Sequence, residues 1–113
     1  MAQLRLTVVR PIPERREEAW EVLTAIDELF VSEPGLVMSL RFGKATPGVM
    51  GRVAIWETEG AANRLALSTH VLALRARLQE LSGESVIEAL TDVADAHWPW
   101  GDLTAALPLP LVS

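Results

Sequence analysis

Hydrophobic positions along the chain fall into short strand-like runs separated by two longer stretches in which apolar residues recur at helical spacing. The pattern is densest from Met50 to Gly83. Residues 52–58, RVAIWET, are rich in β-branched and aromatic side chains and contain no glycine or proline, as a strand requires. From Glu59 the period changes to that of a short helix. Ser68 then offers an N-cap, Val71, Leu74, Leu78 and Leu81 repeat at three- and four-residue intervals, and Gly83 is placed to close the helix as a C′ glycine.

The flanking segments read in the same way. In Leu4 to Val9, the residues Leu4, Leu6 and Val8 alternate with Arg5, Thr7 and Val9, which predicts a strand with one well-buried face. Pro11 stops it. Pro13 suits a first helical turn, Glu14, Glu17 and Glu18 complement the positive helix end, and Ala19, Trp20, Leu23, Ile26, Leu29 and Phe30 form an apolar stripe to about Phe30. Glu33-Pro34-Gly35 ends that helix. Leu36 to Phe42 is a second strand, joined to the third by a turn at Thr46-Pro47-Gly48, and Ser85 to Val93 is a fourth, with Val86, Ile87, Leu90 and Val93 available for burial. The order β-α-β-β-α-β is the ferredoxin-like arrangement: an α+β domain over residues 1–94 with an antiparallel four-stranded sheet and its helices on one face. The other face is not cleanly polar, so a partner sheet and hence a homodimer is expected. Residues 95–113, with Trp98, Trp100 and a proline-broken leucine run, form an apolar tail expected to strap the sheet or the partner subunit, or to act as a lid.

Composition narrows the function. At 113 residues there is room for one small core. Ten basic against fifteen acidic residues give a net charge of −5 with no basic run, which argues against nucleic acid and anionic membranes as partners. There is no cysteine, so disulfides, thiolate catalysis and sulfur-ligated zinc are excluded; with no tyrosine, a phenolic relay is excluded as well. The two histidines are far apart, and no metal or other cofactor is expected. Neither a leader of signal-peptide pattern nor a stretch approaching ~20 apolar residues is present, so a soluble cytoplasmic protein is expected.

Trp56, Thr58, Ala61, Ser68 and His70, together with the opening LRLTVVRPIPERREEAWEVL and the EPG at Glu33 to Gly35, resemble the antibiotic biosynthesis monooxygenase domain of the dimeric α+β barrel superfamily. The resemblance covers about Gln3 to Val93. Gly60 stands where an acidic residue is usual, and Leu65 where many members carry a further histidine. It implies a homodimer of facing sheets, with a pocket in each subunit between sheet and helices. The implied activity is a cofactor-independent monooxygenase acting on an aromatic or polyketide-like substrate. The haem-degrading branch requires an asparagine, a tryptophan and a histidine at positions that fall here on Val9, Leu65 and Arg75, so that branch is disfavoured.

Such an oxygenase turns its substrate into an electron-rich anion inside a dry cage. His70, in the first turn after Ser68, is the candidate base, or else only packs at the helix start. Trp56 is a candidate wall for an aromatic ligand, or plain core. Arg52, four residues earlier on the same strand face, is a candidate partner for a phenolate, or is salt-bridged or solvated; Arg5 and Arg41 carry the same ambiguity. The alternatives are a non-catalytic binding or structural dimer, its pocket filled by Trp20, Trp56 and Phe42, and an isomerase or dehydratase of the same fold. An open pocket reaching His70 or Arg52 would favour an enzyme; a closed one would favour the structural dimer.

Overall fold

The computed structural model describes residues 1–94; the tail expected to act as strap or lid, including His97 and Trp98, lies outside the described residues. Strands β1 (Gln3–Val9), β2 (Leu36–Phe42), β3 (Met50–Trp56) and β4 (Ile87–Asp92) and helices α1 (Arg16–Phe30), α2 (Glu59–Arg64) and α3 (Thr69–Glu80) follow the expected order. The sheet runs β2-β3-β1-β4 with every neighbouring pair antiparallel. This is the ferredoxin-like α+β arrangement. Helix α1 packs on β2 and β3 and against α3, while α2 covers β1 and β3.

Local chemistry explains the boundaries. Strand β3 stops at Trp56, two residues short of the expected end, because Thr58 leaves the sheet to cap α2: its hydroxyl accepts the Ala61 N–H at 3.0 Å. Ser68 caps α3 as expected, accepting the Val71 N–H at 3.3 Å. Gly83 does not serve as a left-handed C′ residue. Helix α3 ends in a right-handed turn at Leu81, and the Gly83 N–H instead donates to the Arg10 carbonyl at 2.9 Å, tying the loop before β4 to the loop after β1. Gly35, at the end of the EPG segment, is left-handed at φ 91°, and a Cβ there would lie 2.6 Å from that of Ala61. Only glycine lets the start of β2 approach α2 so closely.

The core lies between sheet and helices. It joins Leu23, Ile26 and Phe30 of α1 to Met50, Ala54 and Trp56 of β3 and to Val71 and Leu78 of α3. Full burial of a side chain such as Phe30 stabilises the fold by roughly 2–3 kcal/mol.

The strand alternation is present, but the apolar half of it faces away from the helices. In β1 the residues turned to the helices are Arg5, Thr7 and Val9, opposite Ala54, Arg52 and Met50 of β3. Leu4, Leu6 and Val8 lie on the outer face with Val53, Ile55, Leu40 and Phe42. Strand β4 is shorter than expected. Ile87, expected to be available for burial, is 58% exposed on that outer face, while Leu90 packs against the core.

Candidate functional site

Because a strand repeats every two residues, placing Val9 and Met50 in the core brings Arg5, Thr7 and Arg52 to the same side. A hydrophobic interior so acquires a polar cluster. Arg52, 1% exposed, reaches across to α1 and donates to Asp27 Oδ1 from Nη2 at 3.1 Å and from Nε at 3.4 Å. Its guanidinium also lies 5.1 Å over the Phe30 ring. Burial holds its pKa below the ordinary arginine range, and the charge of Asp27 opposes that shift.

A second group lies toward β4. Arg5 Nη2 donates to Asn63 Oδ1 on α2 at 2.7 Å, and Nη1 is 3.7 Å from Glu88 Oε2. Glu88 also accepts the Thr7 hydroxyl at 3.0 Å and lies 3.5 Å from Arg75 Nε on α3. Burial, and then repulsion from Arg75, lower the Arg5 pKa, with Glu88 acting in the opposite sense. Among the described residues, Arg5 Nε and Trp56 Nε1 are buried without a hydrogen-bond partner. Trp56 is fully buried and meets Phe30 edge-on, with centroids 5.5 Å apart.

The structure places the expected site residues unequally. Arg52 and Trp56 share the inner face of β3, as their spacing requires, and both are enclosed. His70 is exposed on the first turn of α3, with no hydrogen bond to another described residue, and takes no part in the arginine cluster. Arg41 donates to the Thr24 hydroxyl and stacks 4.9 Å over the Trp20 ring, outside the cluster. Phe42 is on the outer face, so Trp20, Trp56 and Phe42 do not fill one volume. Asp27, Asn63, Arg75 and Glu88 were not singled out as site residues from the sequence. Each stands at an unremarkable place in its own element and becomes notable only through its partner on another.

Cavities open on the described surface. One of about 410 Å³ is lined by Arg10, Pro11, Ile12, Pro13, Pro47 and Gly83 among others, and one of about 280 Å³ by Arg16, Glu17, Trp20, Lys44 and Met50. Neither is lined by Arg52, Trp56 or His70. No helix among the described residues is long and apolar enough to cross a membrane, and no group of acidic or histidine side chains among them has the makings of a metal site.

The sheet order and the arrangement of α2 and α3 give the chain the fold of antibiotic biosynthesis monooxygenase-like structures. Solved structures bear this out. A Deinococcus radiodurans protein bearing the antibiotic biosynthesis monooxygenase designation is similar with a TM-score of 0.76 and 16% identity, over 88% of this chain and 99% of that one. A variant of SnoaB, a cofactor-independent oxygenase from Streptomyces nogalater, has a TM-score of 0.72 and 16% identity, over 84% and 95%. A monooxygenase from the gene ActVA-Orf6 of Streptomyces coelicolor, in complex with nanaomycin D, has a TM-score of 0.70 and 16% identity, over 87% and 92%. No protein-family model matches the chain, and no curated protein matches it by sequence.

Proposed function

We propose that this chain is a homodimeric, cofactor-independent monooxygenase of the antibiotic biosynthesis type, acting on an aromatic or polyketide-like substrate held between sheet and helices. The observation that carries the reading is the polar cluster of Arg5, Thr7, Arg52 and Glu88 on the face of the sheet that a purely structural core would fill with apolar residues. Two of the similar structures are oxygenases, one of them in complex with nanaomycin D. Loss of a proton makes the substrate an electron-rich anion. The anion reduces oxygen, and breakdown of the resulting peroxide releases water and leaves a carbonyl. The arginines stabilise the anion and the walls around Trp56 exclude water. His70, exposed at the start of α3 and outside the arginine cluster, is the candidate proton acceptor only if the substrate extends to that helix end. Leu4, Leu6, Val8 and Val53 of the outer face meet the partner sheet.

The second reading is a non-catalytic binding or structural dimer. It is favoured by the complete burial of Trp56 and by the pairing of Arg52 with Asp27, which leave neither side chain exposed to a ligand. Oxygen uptake by metal-free protein with anthrones, hydroquinones and naphthols separates the two. Uptake that falls at least about tenfold in His70→Ala supports both the oxygenase and its base. Unchanged uptake in that variant removes His70 from the mechanism. Absence of uptake across the panel favours the binding protein.

A further inference from the structure

The charges on the inner face of β1, β3 and β4 and on the helices that cover it do not balance. Arg5, Arg52 and Arg75 act on one another there, while the carboxylates that oppose them are Asp27 and Glu88. One positive charge is left over. Asp27 is taken up by Arg52 at hydrogen-bond distance. Arg5 and Arg75 share what remains, a single carboxylate, at 3.7 Å and 3.5 Å. On the surface of this protein, where water competes, Glu18 draws Arg15 and Arg77 in to 2.8 Å and 2.9 Å. Glu88 is thus stretched between two cations and closes fully on neither.

Two further features point the same way. Arg5 is 8% exposed, and among the described residues its Nε has no acceptor, so a donor of a buried cation is unused. Leaving a charged donor without a partner in the interior is costly unless something supplies the missing acceptor. The Glu88 side chain, by contrast, is 30% exposed and on an edge strand, free to turn toward water when a competing anion arrives.

We propose that the ligand of the interior site carries a fixed anionic group, a carboxylate on an aromatic skeleton, which Arg5 and Arg75 receive while Glu88 serves as their resident counter-ion in the empty protein. This rests on the reading of the interior as a ligand site and narrows it: a neutral phenol leaves the excess charge uncompensated until it ionises, whereas a carboxylate neutralises it on entry. A charge-assisted pair to two guanidiniums also fixes the orientation of the ring system beside Trp56.

The test compares 1-hydroxy-2-naphthoate with 1-naphthol, titrated calorimetrically into the full chain at low salt, in the native protein and in Glu88→Gln and Arg75→Gln, each confirmed folded by its thermal melt. The acid is expected to bind about tenfold or more tightly than the naphthol, as a charge-assisted pair requires. Glu88→Gln, which removes the competing carboxylate, is expected to tighten the acid about fivefold and leave the naphthol within about twofold; Arg75→Gln is expected to weaken the acid alone by about tenfold. Equal affinities for the two probes, or an acid-to-naphthol ratio that neither substitution moves, overturn the anion preference while leaving an interior aromatic site standing. Binding of neither probe overturns the interior site itself and the proposal with it.

Discussion

The two faces of the sheet are not divided as they would be in a simple two-layer protein, for the inner face mixes core residues such as Val9, Met50 and Trp56 with charge. The inner face, pressed against the helices, holds Arg5, Thr7, Arg52 and Glu88; the outer face, which the described chain leaves uncovered, holds Leu4, Leu6, Val8, Val53, Ile55 and Ile87. Burial of charge costs free energy unless it is paired, and exposure of apolar surface costs free energy unless it is covered. The difference is what the proposed reading expects, with a ligand held at the inner face and a second copy of the chain against the outer one.

The heaviest blows to the inner face should come from its bulk and its charge balance. Trp56→Ala should destabilise the fold by about 4 kcal/mol through the cavity left under α1, while Trp56→Phe should cost much less, because the indole N–H has no described partner to lose. Denaturant unfolding reads both. Asp27→Ala strands Arg52 in the interior and should cost about 3 kcal/mol, whereas Asp27→Leu combined with Arg52→Met should recover most of it. A double variant as unstable as the single one would mean that the ion pair is not what holds α1 to β3.

The outer face is tested by charge at its centre. Leu6 lies on β1 between Val53 and Ala89, so Leu6→Asp should weaken a sheet-on-sheet dimer by about 100-fold and shift the mass seen by light scattering toward the monomer, with little change in melting. An unaltered mass would remove this face from the interface.

Smaller effects sharpen the comparison. Thr58→Ala removes the cap of α2, the helix that presents Asn63 to Arg5, and should cost about 1 kcal/mol. Away from both faces, the hydrogen bond from Arg15, followed by the charges of Arg15 and Arg77, holds the Glu18 carboxyl below its ordinary range. The folded pKa lies below the unfolded one. The contribution is therefore present above about pH 4.3 and lost as pH falls through the lowered value. Melting curves of the native protein and Glu18→Gln should differ slightly at pH 7 and converge in acid. Because the group is solvent-exposed, this is the least of the effects.

The legible parts of this protein are those governed by neighbours in sequence. The helix of Arg16–Phe30, the hairpin, the cap at Ser68 and the shared face of Arg52 and Trp56 all follow from period, turn residues and short-range hydrogen bonds. Where long-range contacts compete, local reading stops. Gly83 has the appearance of a helix terminator but is spent on the Arg10 carbonyl, a partner far away in the chain. His70 carries the most reactive side chain of its segment, yet the helix phase that buries Val71 leaves it outside.

The alternation in β1 by itself determined that one of its faces would be apolar and the other mixed, since successive side chains must point to opposite sides. It could not determine which side the helices would take, because Val9 and Arg5 share a parity, as do Leu4 and Val8, and either set can be covered. That choice was settled by the tertiary structure. Asp27 on α1, Asn63 on α2 and Arg75 on α3 supply opposite charge or hydrogen bonds to the residues of the polar side. Paired in this way, the polar set can be buried, and the apolar set is left to face outward.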